Sequence, residues 1–194
     1  MNYRMLQKIM KLRKEYFNVP DLEKIFRQKR ATLYVTLNRG VKEGWLRRLK
    51  TGIYQLSSAS ANMEKIANQI YYPSYLSFES ALAKYGVLSQ IPYTLTFATC
   101  QRTKNMTVRG SAVVFRQLKK ELFFGYKLSG GLYTAQVEKA LLDELYLVSR
   151  GKSNINIAEL DLKGISKSKT LRLARKFPKA TQKLANMLFL KYHV

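Results

Sequence analysis

Apolar residues recur at helical spacing near the start of the chain, and this spacing predicts two amphipathic helices before residue 27. One face of the first helix is formed by Leu6, Ile9, Met10 and Arg13. The second helix begins near Pro20, because proline is tolerated in a first helical turn. Asp21 and Glu23 suit the positive end of its dipole. Its buried stripe is formed by Leu22, Ile25 and Phe26.

A third helix is predicted over residues 31–43, "ATLYVTLNRGVKE", and it has two distinct faces at about 100° per residue. The packing face carries Leu33, Leu37, Gly40 and Val41, with Tyr34 at its edge. The opposite, polar and basic face carries Ala31, Thr32, Val35, Arg39 and Lys42, flanked by Thr36 and Asn38. Gly44 is suited to end the helix in a left-handed conformation. Gly40 inside the helix costs on the order of 1 kcal/mol relative to alanine, and close packing of a neighbouring helix is the expected reason.

Two short strand patterns, "WLRRL" and "GIYQL", follow this helix and are joined at "KTG", which predicts a hairpin. Arg47, Arg48 and Lys50 crowd toward its bend. Because like charges repel one another, their crowding indicates an anionic partner that neutralises them.

Helix, helix, helix and hairpin is the element order of the winged helix-turn-helix, whose third helix enters the major groove of DNA while the hairpin lies along the phosphates. Phosphate contacts are then assigned to Lys29, Arg30, Arg47, Arg48 and Lys50. Arg39 is suited to pair with guanine and Asn38 with adenine, while Val35 and the methyl group of Thr32 or Thr36 suit thymine methyls. The alternative is that the basic helix face is only solvated.

The next segment, "SSASAN" over residues 57–62, is small and polar and is expected to link an N-terminal domain, residues 1–58, to a second domain, residues 63–194. In the second domain we expect a helix from Met63 to about Tyr71, and a helix capped by Ser77 with Ser80 or Glu79 that ends at Gly86. A strand over 93–99 begins a small antiparallel sheet continued by "MTVRG", "SAVVFRQL" and "ELFFGYKL". A long helix within 135–151 and helices over 167–177 and 179–192 complete an α+β chain.

The charge balance narrows the class of partner. Thirty-five Lys and Arg face twelve Asp and Glu, a formal net charge of +23. This excess points first to nucleic acid and second to an anionic membrane surface. Nine Lys and Arg follow Asp161, where acidic residues are absent, so the C-terminal part forms a second basic zone. A lone Cys100 fits a reducing compartment, and the sequence lacks a membrane-length apolar run or a signal peptide, so we expect a cytoplasmic protein.

Candidate catalytic groups are few. Glu79 with Ser77 and Ser80 is explained by helix capping, and Glu138, Asp143 and Glu144 are expected to pair with Lys and Arg rather than to bind a metal. "SGGLY" lacks the lysine of a phosphate-binding loop. With His193 as the single histidine, a catalytic triad and a zinc site are not expected. We therefore predict a protein that is not an enzyme and holds neither cofactor nor metal.

The segment "YYPSYLSFESALAKYGVLSQIP", the alternating strand after it and the later "TAQVEKALLDELY" resemble the C-terminal domain of the AbiEi family, the antitoxins of bacterial type IV toxin-antitoxin (abortive infection) systems. "LNRGVKEGWLRRLKTGIYQL" resembles the winged helix-turn-helix of the same family, so the likeness covers most of residues 20–147. The resemblance implies a transcriptional repressor that binds inverted repeats of double-stranded DNA in its own promoter. It also implies a genetic pairing with a nucleotidyltransferase-like toxin, without a required stable complex.

Alternative functions remain open at this point. The chain is also compatible with a generic winged-helix transcription regulator, or with a module that neutralises a toxin by direct binding through "ELFFGY" and "NMLFL". The basic tail over residues 163–194 would suit RNA, although Leu171, Leu173, Ala174 and Phe177 indicate packed amphipathic helices. Extension of the DNA footprint is the role we expect for the tail.

Overall fold

A computed structural model describes residues 3–12, 14, 16–58 and 62–191 of the chain. It is a mixed α+β structure with two sheets, and its contacts separate it into two compact units. The first comprises Met1–Ile66 with Thr107–Gly110, and the second comprises Ala67–Met106 with Ser111–Val194. Arg13, residues 59–61 of the expected linker and His193 lie outside the described residues. Within the described part of the chain, every helix is too short or too polar to cross a membrane.

The first unit has three helices followed by a hairpin. Its elements are α1 (Tyr3–Lys11), β1 (Phe17–Asn18), α2 (Val19–Phe26), α3 (Arg30–Lys42), β2 (Leu46–Lys50) and β3 (Ile53–Leu56). The predicted helices and hairpin are confirmed, whereas β1 was not predicted. It pairs antiparallel with β3 to give a three-stranded sheet in the order β1-β3-β2. α4 (Met63–Ile70) follows, close to the predicted bounds.

The core of the first unit lies between the three helices and this sheet. Its fully buried side chains include Ile9, Phe17, Leu22, Leu33 and Leu37. Burying a side chain of this size contributes roughly 1.5–3 kcal/mol, which allows a small unit to hold its helices in place. The predicted packing faces are confirmed except at their edges, where Met10 is 53% exposed and Val41 is 36% exposed.

Local capping fixes the start and end of α2. The Asn18 side chain accepts a hydrogen bond of 2.7 Å from the backbone N–H of Asp21, and Pro20 occupies the first turn. Arg27 ends the helix in the left-handed region at φ 51° and donates its N–H to the Glu23 carbonyl. These caps satisfy backbone groups that the helix leaves without partners, so the turn from α2 into α3 is short.

The second unit contains a six-stranded sheet and four further helices. Its strands are β4 (Ser74–Leu76), β5 (Thr94–Thr99), β6 (Lys104–Val108), β7 (Ser111–Gln117), β8 (Tyr126–Ser129) and β9 (Leu132–Ala135), although the last two residues of β6 are grouped with the first unit. Its helices are α5 (Phe78–Lys84), α6 (Val137–Val148), α7 (Lys167–Ala174) and α8 (Lys179–Lys191). Residues 120–122 form a 3-10 turn in place of the first half of the predicted strand "ELFFGYKL".

The small antiparallel sheet predicted for this unit is instead a six-stranded mixed sheet. The strand order is β6-β7-β5-β4-β9-β8, and β5 pairs in parallel with β7, as β4 does with β9 at Leu76 and Thr134. β6 lies at the edge of the sheet. β7 lies between β6 and β5 and runs parallel to β5. Alternation along each strand predicted that a strand exists, but it carries no information about which strand is its neighbour.

α6 is surrounded by other elements of its unit. Every residue from Glu138 to Leu147 is buried, and α6 contacts α5, α7 and α8. The two C-terminal helices and the connection between them bury Ala174, Phe177, Leu188 and Phe189, which confirms packed helices rather than a loose arm. Much of "ELFFGY" and "NMLFL" is therefore core, although Met187 and Leu190 are exposed.

Candidate nucleic-acid interface

The outer face of α3 is exposed, as its periodicity predicted. Ala31, Thr32, Val35, Asn38, Arg39 and Lys42 are all exposed. Val35 is 70% exposed, an unusual position for an apolar side chain in the middle of a helix. Thr36 is half-buried, and its Oγ1 lies 3.2 Å from Gln28 Oε1 and 3.1 Å from the carbonyl oxygen of Thr32. The side chains of this face are short around Val35 and basic toward the C-terminal end of α3.

Gly40 lies on the inner face of α3, where the hairpin passes closest. A Cβ atom at this position would lie 2.6 Å from Trp45 Cζ2 and 3.0 Å from Leu46 Cδ1. The neighbour that requires glycine is therefore the indole of Trp45, and the expected close approach of another helix is wrong. Trp45 also donates its Nε1–H to Glu43 Oε2 at 3.2 Å. Gly44, at φ 79°, turns the chain from α3 into this contact.

An irregularity in β2 determines which of its side chains face solvent. Arg47 pairs with Gln55 and Arg48 with Tyr54, but the next pair is Lys50 with Ile53, so Leu49 is the extra residue of a bulge. The bulge brings Leu49 into the interior although it lies three residues after buried Leu46. Arg47 and Arg48 are consequently exposed in succession, since a bulge reorients the side chains that flank it.

The turn of the hairpin is Thr51–Gly52, with Gly52 at φ 77°. Arg47 and Arg48 therefore lie along β2, and the prediction that placed them in the bend is corrected. Lys50, the last residue of the strand, is next to the turn and half-buried. The charges form a row beside α3 instead of a cluster at the tip.

Few carboxylates neutralise this surface. Between residues 16 and 58 there are nine Lys and Arg but three Asp and Glu. Arg30 lies 3.6 Å from Glu23, and Arg39 lies 3.9 Å from Glu43, both exposed pairs worth little in water. Among the described residues, the remaining predicted contact cations make no ion pair with a carboxylate: Lys29, Lys42, Arg47, Arg48 and Lys50.

The acidic group predicted in the second unit is ion-paired, as expected. Glu138 accepts from Lys169 at 2.8 Å, and Asp143 pairs with Lys139, both fully buried. Tyr75 Oη and Ser77 Oγ also donate to Asp143 Oδ2, at 3.0 and 2.8 Å. The predicted side-chain cap by Ser77 is therefore wrong, because its hydroxyl is committed to Asp143. The described part of the chain contains no group of three or more His, Cys, Asp or Glu side chains that could hold a metal ion.

The ion pair between Lys139 and Asp143 offsets part of the cost of burying the two charges. Burial lowers the pKa of Lys139 and raises the pKa of Asp143, and each partner acts against the other's shift. The ammonium also lies 5.0 Å from the ring centre of Phe124 and 5.2 Å from that of Phe177. A buried pair with all these partners is a structural element of the second unit, and it does not resemble an exposed reactive lysine.

Glu144, one residue further along α6, is less well satisfied. Its Oε1 accepts from the Ser153 hydroxyl, while Oε2 is buried and, in the described part of the chain, has no hydrogen-bond partner. Burial, followed by repulsion from Glu79, raises the pKa of Glu144 to about 7. Arg116 lies 3.7 Å from Glu144 but forms its two 2.8 Å hydrogen bonds with Glu79.

Two structural features of the first unit were not predicted from the sequence: β1 and the Asn18 cap of α2. β1 is two residues long, too short for alternation to reveal. The Asn18 cap did have a signal, because Asn followed by Pro20 and Asp21 is a helix-start signature.

Comparison of the chain with protein-family models and with curated proteins finds no match.

Proposed function

We propose that the first unit is a winged helix-turn-helix that binds duplex DNA, with α3 in the major groove and β2 along the phosphates. The observation that carries the proposal is the exposed face of α3 beside the row formed by Arg47 and Arg48. An α-helix fits the major groove of B-DNA, and unpaired cations gain from the release of counterions. The bulge in β2 supports it, because it points two successive arginines outward.

The start of α3 offers a further phosphate contact. Lys29 precedes the helix as its N-cap residue and makes no side-chain capping hydrogen bond, so within the described residues it leaves the first N–H groups of α3 available. Lys29 and Arg30 are both exposed there. Free N–H groups, the positive end of the helix dipole and two cations together suit a backbone phosphate.

We further propose that the chain is a repressor of its own operon and the antitoxin of a nucleotidyltransferase-like toxin. This step rests on the resemblance of most of residues 20–147 to the AbiEi family. Direct capture of the toxin through "ELFFGY" and "NMLFL" receives less support, because Leu122, Leu188 and Phe189 are buried. Joint expression with the product of the adjacent gene, scored by growth, tests the antitoxin step separately from DNA binding.

A gel-shift titration with DNA from upstream of the gene tests DNA binding. Replacing Arg47, Arg48 and Lys50 with alanine is expected to weaken binding to every sequence and to flatten the salt dependence by about 0.9 per lost contact. Arg39→Ala is expected to cost about 1–3 kcal/mol on the operator alone.

The matched control replaces three exposed lysines of the second unit, Lys104, Lys120 and Lys127, with alanine. This variant loses the same charge but should keep its affinity and its salt slope. Equal binding by native protein and the Arg47, Arg48 and Lys50 variant would show that β2 does not face DNA.

A further inference from the structure

Two adjoining cavities open on the second unit, and the proposed DNA interface uses neither. The first, of about 530 Å³, lies between the end of β7 and the C-terminal end of α6. The second, of about 570 Å³, is bordered by residues 88, 90–93 and 151–155 and by the carboxylates of Glu79 and Glu159. Arg116 and Lys152 line both cavities. Each volume is in the range of small-molecule sites, roughly 300–1,000 Å³.

The first cavity is strongly basic. It is lined by Arg116, Lys119, Arg150 and Lys152, and none of the described residues that line it is Asp or Glu. Arg150 donates to the hydroxyl of Tyr146 at 2.7 Å rather than to a carboxylate. In the part of the chain that the structure describes, Lys152 makes no ion pair. Lys119 has an exposed partner in Glu121, 3.8 Å away. Arg150 and Lys152 therefore carry the charge that the protein leaves without a counterion, which favours an anionic ligand.

Arg116 has a different part in this arrangement. Its two hydrogen bonds to Glu79 hold the guanidinium in one orientation and offset its charge. It therefore forms a fixed wall between the two cavities, whereas Arg150 and Lys152 supply the unneutralised charge. Phosphate is the common biological anion whose several oxygens accept from two or three such donors at once.

Apart from Glu79, which is bonded to Arg116, and Glu159, the lining of the second cavity has the composition expected for a flat heteroaromatic ring. Leu88, Ile91, Pro92 and Tyr93 contribute apolar surface, and Gln90 and Asn154 contribute amides. The Tyr93 side chain is fully exposed, so its ring face is available for stacking. Bases stack on exposed aromatic rings with little dependence on sequence, and amides pair with their polar edges.

We propose that the two cavities form one binding site for a free nucleoside phosphate. Arg150 and Lys152 hold the phosphates in the first cavity, with Lys119 at its rim. The base lies against Tyr93 in the second cavity, with its edge toward Gln90 and Asn154. The site lies entirely within the second unit and does not depend on the proposed DNA binding.

Isothermal titration of the full chain at physiological ionic strength tests this site, with ATP, inorganic triphosphate and adenosine as probes. ATP is expected to bind more tightly than triphosphate, because the base adds a stacking contact. Changing Arg150→Gln together with Lys152→Gln removes charge-assisted hydrogen bonds and should weaken ATP binding about tenfold or more. Lys152→Gln alone provides a milder variant that leaves the bond between Arg150 and Tyr146 intact.

Matched controls separate a built site from general attraction to a basic protein. Changing Lys163→Gln together with Arg175→Gln removes the same charge from exposed positions outside both cavities. Tyr93→Ala should weaken ATP binding but not triphosphate binding, whereas Tyr72→Ala, at another exposed tyrosine, should change neither.

Three results would overturn the proposal. The first is an equal weakening of ATP binding by the two charge-loss variants, which would show diffuse attraction. The second is ATP that binds no more tightly than triphosphate and whose affinity is unchanged by Tyr93→Ala, which would show that the base does not lie in the second cavity. The third is ATP that fails to bind at about 1 mM. If a short RNA then binds and its binding depends on Arg150 and Lys152, the cavities are assigned to a nucleic-acid strand.

Discussion

Replacing Gly40 with alanine tests how α3 and the hairpin are held together. The added Cβ would lie 2.6 Å from Trp45 Cζ2 and 2.8 Å from Trp45 Cε2. Carbon atoms prefer to be about 3.5–4.0 Å apart, so the indole must move by about 1 Å. Overpacking of this kind costs about 1–3 kcal/mol, whereas alanine gains about 1 kcal/mol in helix propensity. The free energy of unfolding should therefore fall by about 1 kcal/mol.

Fluorescence measures this displacement directly, because Trp45 is the single tryptophan of the chain. During urea unfolding, the native baseline of Gly40→Ala should show an altered emission maximum, together with a lower midpoint. If the proposed DNA interface is correct, operator affinity should fall as well, since Arg47 and Arg48 move with β2.

Asn38→Ala is the matched control, because Asn38 lies on the exposed face of the same helix. It should gain helix stability while the emission of Trp45 stays unchanged. A second control combines Gly40→Ala with Trp45→Leu, which removes most of the clash and should show favourable coupling. An increase of about 1 kcal/mol in the stability of Gly40→Ala, with unaltered emission, would refute the packing of Trp45 against α3.

Two further predictions concern α6. Asp143→Leu alone leaves the buried Lys139 unpaired and should lower the free energy of unfolding by about 3–5 kcal/mol, whereas adding Lys139→Met should recover most of that loss in urea titrations. The pKa of Glu144 is raised to about 7 in the folded protein, so the folded state binds this proton more tightly than the unfolded chain, and stability is lost as pH rises from about 4.5 to about 7. Glu144→Gln should therefore stabilise the protein by up to about 3 kcal/mol near pH 8 but by about 1 kcal/mol near pH 5, compared with exposed Glu121→Gln. An equal effect of Glu144→Gln at both pH values would contradict the raised pKa.

Much of the first unit follows from local pattern. The apolar period of residues 31–43 assigned Leu33 and Leu37 to the interior and Arg39 and Lys42 to solvent, and the structure agrees. Gly44 and Gly52 were expected to end the helix and to turn the hairpin, and both have positive φ. These features depend on residues within about one turn of each other, so the sequence alone contains the information.

The reason for Gly40 and the exposure of two successive arginines were not available in the same way. Both depend on the path of the hairpin across α3, which brings Trp45 beneath the helix and places Leu49 in a bulge. The identity of the glycine was visible, but its neighbour was not. A single helix pattern does not specify what packs against it.

In the second unit the chain itself determined the helices and most strands, while the tertiary structure decided their partners. β5 pairs in parallel with β7, and Ser77 donates to Asp143, which lies 66 residues away in sequence. A local sequence signal favoured helix capping for Ser77, but a buried carboxylate needs donors more strongly than an exposed helix start does. Periodicity determines which side of an element is apolar, and the choice of neighbour follows from burying all such sides and satisfying all buried polar groups at once.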